Sequence, residues 1–139
     1  MADHYLKLAS ALLSVVISCT AVASEAQDSM ATKQIAETTQ LTPNLENGKK
    51  VFYTCALCHS PEGWGTTDGT TPEIAGQLSS VIIKQLTDIR LGNRDNPTMI
   101  PFTTPVVMSL QDIVDVAAYL EQLKMASSNL TGPGNNLEH

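Results

Sequence analysis

The chain has 139 residues, and its 8 Lys and Arg side chains oppose 14 Asp and Glu side chains, which gives a formal net charge of −6 at pH 7. This length indicates one domain, and the acidic balance without a basic patch argues against nucleic acid as a partner. Hydrophobic residues make up 42% of the chain but aromatic residues only 4%, a composition that favours a packed core with another group at its centre.

The first 23 residues predict an export signal. A short polar start precedes an apolar run at residues 8–17, and Ala-Val-Ala at residues 21–23 offers the small side chains that signal peptidase reads. The run is far shorter than the roughly 20 apolar residues that span a bilayer, so we predict no membrane span. Two alternatives stay open. Residues 16–19 resemble a lipobox that would place a lipid anchor on Cys19, and the segment could instead be a buried helix.

Three further segments follow the export signal. Residues 24–42 are polar and lack sustained periodicity, which predicts a flexible lead. The compact domain is predicted at residues 43–126. Residues 127–139 are rich in Asn, Gly and Ser and end in Leu-Glu-His, which resembles an affinity-tag scar, so we predict a disordered tail there.

Apolar stripes at helical spacing predict three helices in the compact domain, at about residues 44–57, 78–91 and 110–125. Pro43 suits the first turn of the first helix, and Gly92 is placed to end the second. No stretch alternates in the way a strand requires. The predicted fold class is therefore all-α.

Two long loops, at residues 60–77 and 93–108, separate these helices and are rich in Gly, Pro and Thr. Loops of this length in a small domain are usually functional. We therefore expect both loops to contribute to the site.

Cys55, Cys58 and His59 form a C-x-x-C-H motif, the attachment signature of c-type haem. Two thiols three positions apart on one helical turn point the same way, so each can form a thioether with one vinyl group of the same porphyrin. The adjacent His59 is then held under the iron as its proximal ligand. Once the export signal and the tail are set aside, these are the only Cys and His side chains left.

The same three residues allow three other interpretations. A structural zinc site needs four nitrogen or sulfur ligands, and the trimmed chain offers three. A thioredoxin-type redox pair follows a strand in a βαβ unit, whereas this motif ends a predicted helix. A structural disulfide is favoured by export. The motif favours haem over all three.

The chain resembles class I c-type cytochromes, and most of all the small bacterial periplasmic monohaem cytochromes c, a unit that is also duplicated in di-haem cytochromes. The resemblance covers about residues 45–124. It implies a cytochrome c fold, with three main helices and long loops around one covalently bound haem c. It also implies that the carbonyl of Pro72 accepts the Nδ1–H of His59, which fixes the ring and raises its basicity. The matching positions are Gly48, Phe52, residues 72–77, Arg90, Gly92, Arg94 and Tyr119.

The resemblance further implies a methionine as the distal iron ligand. Met99 lies 40 residues after His59 in a proline-rich loop like the family's ligand loop, and we predict it as the sixth ligand. Met108 is the alternative, although it can instead form a hydrophobic staple with Ile113 at the start of the third helix. An open or water-ligated iron is the third possibility.

Two more side chains are candidates for the haem surroundings. Trp64 could donate its indole N–H to a haem propionate or simply pack on the haem edge. Arg94, or Arg90, could pair with a propionate, since buried carboxylates need partners, or could lie at a solvated helix end.

The predicted function is periplasmic electron transfer, with one haem c cycling between Fe(III) and Fe(II). His/Met ligation favours the reduced state. We predict a monomer with no substrate chemistry of its own, whose partners are redox proteins that act as electron donor and acceptor. A dedicated cytochrome subunit or electron acceptor of one oxidoreductase is an alternative. A haem peroxidase or gas sensor is another, and it would require an open distal position.

Overall fold

The structure is a computed structural model, and it describes residue 26 and residues 28–126. Within these residues there is no strand, and the all-α prediction is confirmed. None of the helices in the described part is long and apolar enough to cross a membrane. The predicted export signal, the Cys19 lipid anchor and the tail at residues 127–139 lie outside the described residues. The helices are α1 (residues 28–38), α2 (Leu45–His59), α3 (Ser79–Leu91), α4 (Ile100–Thr103) and α5 (Leu110–Gln122).

The three predicted helices correspond to α2, α3 and α5. The first begins differently from its prediction, because Asn44 is its N-cap and accepts a hydrogen bond from the Asn47 backbone N–H at 3.1 Å. Pro43 therefore precedes the cap and does not lie in the first turn. Gly92, at φ +77°, follows the last residue of α3 as predicted.

Helix α1 lies within residues 24–42, where the sequence predicts no helix. Ala31 and Thr38 are buried seven positions apart on it, and Ile35 between them is half-buried. Positions seven apart share one face of a helix. Because the two fully buried positions of this stripe are a small Ala and a polar Thr, hydrophobic periodicity does not reveal it. Whether residues 24–42 are a flexible lead stays a prediction.

The described chain forms two compact units. The first contains the described residues up to 41 together with residues 83–110, and the second contains residues 42–82 and 111–126. The boundaries fall inside α3 and at the start of α5. Buried side chains of the first unit are Ala31, Thr38, Thr87, Ile89, Thr103 and Met108.

In the second unit, α2 crosses α5 at Gly48. A Cβ at this position would overlap the Asp115 carbonyl oxygen and would lie 2.6 Å from the Asp115 carbonyl carbon and 2.9 Å from the Tyr119 Cβ. One turn further along α2, the rings of Phe52 and Tyr119 pack with centroids 5.5 Å apart. The absence of a side chain at Gly48 therefore allows the close approach of α2 and α5.

A buried carboxylate holds the start of α2. Asp115, 1% exposed, accepts hydrogen bonds from the Asn44 backbone N–H at 2.7 Å, the Asn47 amide at 2.8 Å and the Gln111 amide at 2.7 Å. Buried charged groups need such partners. These bonds fix the beginning of the helix whose other end carries the C-x-x-C-H motif.

Candidate functional site

Both cysteines of the motif are free thiols on the last turns of α2. Cys58 is exposed and Cys55 is half-buried, with its Sγ 3.8 Å from the Val51 carbonyl oxygen. Burial raises the pKa of the Cys55 thiol, and a hydrogen bond from the Cys55 backbone opposes this to a smaller extent. The spacing of Cys55 and Cys58 places both sulfurs within one turn of the helix, as attachment to a single porphyrin requires.

His59 is the last residue of α2 and is 6% exposed. Its Nδ1 lies 2.8 Å from the Pro72 carbonyl oxygen. Since a carbonyl only accepts, Nδ1 carries a proton, and in the neutral imidazole Nε2 is then the nitrogen that can bind a metal. An imidazole with a free Nε2, next to two free thiols on one turn, fits haem c in its donor chemistry.

The loop after α2 folds back to bring Pro72 to His59. The Gly65 backbone N–H donates to the His59 carbonyl oxygen at 2.8 Å, and the Gly63 carbonyl oxygen accepts from Ile74 and Ala75 at 2.8 and 3.0 Å. Gly63 and Gly65 have φ angles of +77° and +72°, which favour glycine. The first half of the loop is therefore held by its own backbone.

Trp64, between these glycines, is 44% exposed. Its indole Nε1–H donates to the Lys124 carbonyl oxygen at 2.8 Å, and its backbone N–H donates to the Ser60 Oγ at 3.0 Å. The single indole proton is thus used by a backbone carbonyl, and a propionate bond would require that contact to break. Packing of the ring on the haem edge stays a prediction.

Met99 lies in the other unit and is the N-cap residue of α4. Its backbone N–H is shared between the Asn96 carbonyl oxygen at 3.0 Å and the Asn96 Oδ1 at 3.2 Å. Its own carbonyl accepts from the Phe102 N–H at 3.0 Å. The backbone that carries this side chain is therefore held from both sides, and the role of Met99 as iron ligand stays a prediction.

Arg90 holds the same loop from the end of α3. Its Nε donates to the Thr103 carbonyl oxygen at 2.6 Å, and its Nη2 donates to the Met108 carbonyl oxygen. Because of these two bonds, Arg90 is not simply a solvated side chain at a helix end. Arg94 is exposed, and its backbone N–H donates to the Asp88 carbonyl oxygen at 3.1 Å; its pairing with a propionate stays a prediction.

The second unit contains Cys55, Cys58, His59, Trp64 and Pro72, whereas Met99 and Arg94 belong to the first. Among the described residues, no group of three or more His, Cys, Asp or Glu side chains is placed to hold a metal ion. Sequence reasoning missed the supporting residues Asn96, Asp115 and Gly65. The residue type was the one signal for Asn96 and Gly65, since Asn and Gly recur at turns, and no sequence signal marked Asp115.

Known proteins resemble this chain over the same region. The family model described as cytochrome c matches residues 45–124. Cytochrome c4 of Azotobacter vinelandii is 38% identical over 71 residues, which cover 50% of this chain and 34% of that protein. The thiosulfate dehydrogenase electron acceptor of Stutzerimonas stutzeri (strain A1501) is 36% identical over 69 residues, which cover 50% of this chain and 31% of that protein.

A solved structure is also similar. Reduced recombinant cytochrome c4 from Pseudomonas stutzeri superimposes with a TM-score of 0.51 at 32% identity, over 58% of this chain and 48% of that one. This likeness confirms the fold predicted from the sequence. The chain spans about a third of the length of the curated relatives it matches.

Proposed function

We propose that this chain is an electron-transfer protein with one covalently bound haem c, because it belongs to the cytochrome c family. The observation that carries the proposal is the His59 ring, oriented by Pro72 through a 2.8 Å hydrogen bond, beside two free thiols on one helical turn. A relative named as the electron acceptor of thiosulfate dehydrogenase supports the same role.

In the proposed site, Cys55 and Cys58 hold the porphyrin through thioether bonds, and His59 binds the iron through Nε2. The haem supplies a one-electron couple between Fe(III) and Fe(II). The Pro72 carbonyl would fix the imidazole and raise its basicity, and Met99 would supply the second protein ligand, a thioether that favours the reduced state. The protein thereby orients the group and tunes its potential.

We propose a class I, monohaem protein without substrate chemistry of its own. Residues 24–136 contain one C-x-x-C-H motif and one histidine, so they offer ligands for a single haem. With His59 and Met99 both bound, no coordination position is left for a substrate. A peroxidase or gas sensor would instead need the Met99 position open.

The proposed location is the bacterial periplasm, where a monomer exchanges electrons with donor and acceptor proteins. The export signal expected at the start of the chain is the basis for this location. A second candidate is a dedicated electron acceptor of one oxidoreductase, and the printed name of the Stutzerimonas relative favours it.

Covalent attachment is the direct test of this function. The intact mass of the full chain produced with a haem-attachment system should exceed the processed polypeptide by one haem, and acidified acetone should leave the pigment on the protein. Cys55→Ala and Cys58→Ala should each leave one thioether at most, whereas Ser80→Ala, an exposed change on α3, should leave attachment intact. A pigment that acetone extracts from the unaltered chain contradicts the proposal.

A further inference from the structure

We infer that Gly65 is a positioning residue for the proximal ligand: it leaves the space in which the Pro72 carbonyl meets the His59 ring, and so sets the strength of that hydrogen bond. The inference rests on the proposed binding of haem iron by His59. Gly65 lies outside the C-x-x-C-H motif, six residues after His59.

The backbone of Gly65 already contacts the ligand residue. Its N–H donates to the His59 carbonyl oxygen at 2.8 Å, which caps the carboxyl end of α2. Its φ is +72°, a left-handed conformation that glycine adopts readily. His59 is therefore held at its backbone by Gly65 and at its ring by Pro72.

The missing side chain of Gly65 makes the second contact possible. A Cβ at residue 65 would lie 2.6 Å from the Pro72 carbonyl carbon and 2.7 Å from its oxygen, and it would overlap the Thr71 carbonyl oxygen. Contacts this short do not occur in folded proteins, and the atoms they meet are backbone. Any other residue here forces this backbone to shift, and the Pro72 carbonyl that accepts the His59 Nδ1–H is one of the groups it meets.

A displaced carbonyl changes the electronics of the ligand. A hydrogen bond weakens steeply as its length and angle depart from the optimum, and a weaker bond at Nδ1 makes the imidazole less basic at Nε2. Compared with a more basic ligand, a less basic one gives Fe(III) less extra stabilisation over Fe(II). Loss of the glycine should therefore raise the reduction potential of the haem.

Gly69 provides a matched control in the same loop. Its φ is +76°, but a Cβ there meets nothing within 4 Å. Gly65→Ala and Gly69→Ala thus impose the same left-handed backbone on alanine, and only the first adds a clash. A second pair, Gly65→Asn and Gly69→Asn, uses a residue that tolerates this conformation better, which lowers the folding penalty and keeps the Cβ.

The experiment measures the reduction potential of each holoprotein and the NMR shift and exchange rate of the His59 Nδ1 proton. Both Gly65 variants should show a raised potential and a shifted, faster-exchanging proton, while both Gly69 variants match the unaltered protein. Gly65 variants that carry haem but keep both properties overturn the inference. If neither Gly65 variant acquires haem, the test is the exchange rate of the His59 Nδ1 proton in the unaltered holoprotein. Slow exchange of this proton supports the inference, and rapid exchange overturns it.

These outcomes are separable from failure of the proposed function. If the unaltered protein binds no covalent haem, or if His59 is not an iron ligand in it, the function itself is wrong. An unaltered protein with normal haem ligation, together with insensitive Gly65 variants, removes only the role of Gly65.

Discussion

The two candidate distal ligands differ in exposure and in what holds them. Met99 is half-buried on a backbone held by Asn96, whereas Met108 is 6% exposed and its carbonyl accepts from Arg90. A buried Met can stabilise the fold without touching iron, while a half-buried Met before a one-turn helix has less to contribute to packing. Substitution of Met99 should therefore have different effects from substitution of Met108.

Met99→Ala should abolish the weak ferric charge-transfer band of an iron–thioether bond and increase the affinity for small ligands such as imidazole. Met108→Ala should keep the band and lower the free energy of unfolding by about 1–3 kcal/mol, since it empties a buried site. Absorption spectra, imidazole titration and urea unfolding of the two holoproteins measure these effects. The opposite pattern would assign the ligand to Met108.

Asp68 shows how a surface residue can order the same loop that carries Pro72. Its carboxylate accepts from the Thr66 hydroxyl at 2.6 Å and from the Thr70 backbone N–H at 3.0 Å. The Thr66 bond first, and then the bonds from Thr70, lower the pKa of Asp68 from 3.8 to about 2. The charged form is therefore the one that the folded loop favours.

The sign of the pH effect follows from this lowered pKa. The contribution of Asp68 to stability is complete above pH 3.8 and is lost as the pH falls through about 2. The Thr70 amide resonance should shift over this window and exchange faster with solvent at its acidic end. In Asp68→Asn, which keeps an acceptor oxygen but does not titrate, the Thr70 amide should show no such step, and a step that persists there refutes the assignment.

At the scale of elements, Arg90 connects the end of α3 to the loop that carries both methionines. One guanidinium bonds to two carbonyls, those of Thr103 and Met108, on either side of the α4–α5 connection. Its planar fork reaches both acceptors at once, which a shorter amide cannot do. The loop should therefore loosen as a unit when the guanidinium is removed.

Arg90→Gln should weaken Met ligation, seen as partial loss of the charge-transfer band and tighter imidazole binding, together with lower stability. Lys84→Gln is the matched control because it removes the same charge from the same helix, where Lys84 pairs only with Asp88 in an exposed i, i+4 ion pair. Exposed pairs of this kind contribute about 0–1 kcal/mol. Equal effects of the two substitutions would show that charge alone matters.

Helices with an apolar stripe could be predicted from the sequence, since α2, α3 and α5 have side chains such as Phe52, Ile89 and Ile113 at helical spacing. Helix α1 could not, because Ala31 and Thr38 form its buried face. The buried carboxylate of Asp115 could not either, since a buried Asp and a surface Asp are identical as sequence and differ only in the partners that folding supplies.

The features of the site also differ in whether the sequence could predict them. The C-x-x-C-H motif has a chemical reason for its spacing and could be recognised directly. The Pro72 bond followed only from resemblance to a family. The clamp by Arg90 and the space at Gly65 depend on where distant backbone carbonyls lie, which no local pattern encodes.

At the scale of the molecule, charge determines how partners are met. Residues 44–126 carry six basic and nine acidic side chains, and Asp115 among the acids is buried. Without an excess of basic side chains, encounter with a redox partner should depend weakly on salt, or slow with salt if that partner is basic. Interfaces for electron transfer are small, so charge mainly tunes the encounter rate.

Stopped-flow rates across a range of ionic strength measure this dependence with a basic and a neutral partner protein. Rates that rise with salt against the basic partner would contradict the prediction. They would place docking on the exposed basic side chains instead. The four that we expect to form the docking face in that case are Lys49, Lys50, Lys84 and Arg94.

The crossing of α2 and α5 also determines the order in which the chain can assemble. The bond between Asn44 and Asp115 joins residues 71 positions apart, and that between Trp64 and Lys124 joins residues 60 apart. During synthesis from the amino terminus, Cys55, Cys58 and His59 emerge long before α5 exists. The second unit therefore has a high contact order, and its closure is slow compared with helix formation. During this interval Cys55 and Cys58 are accessible on a nascent α2 that has not yet packed against α5.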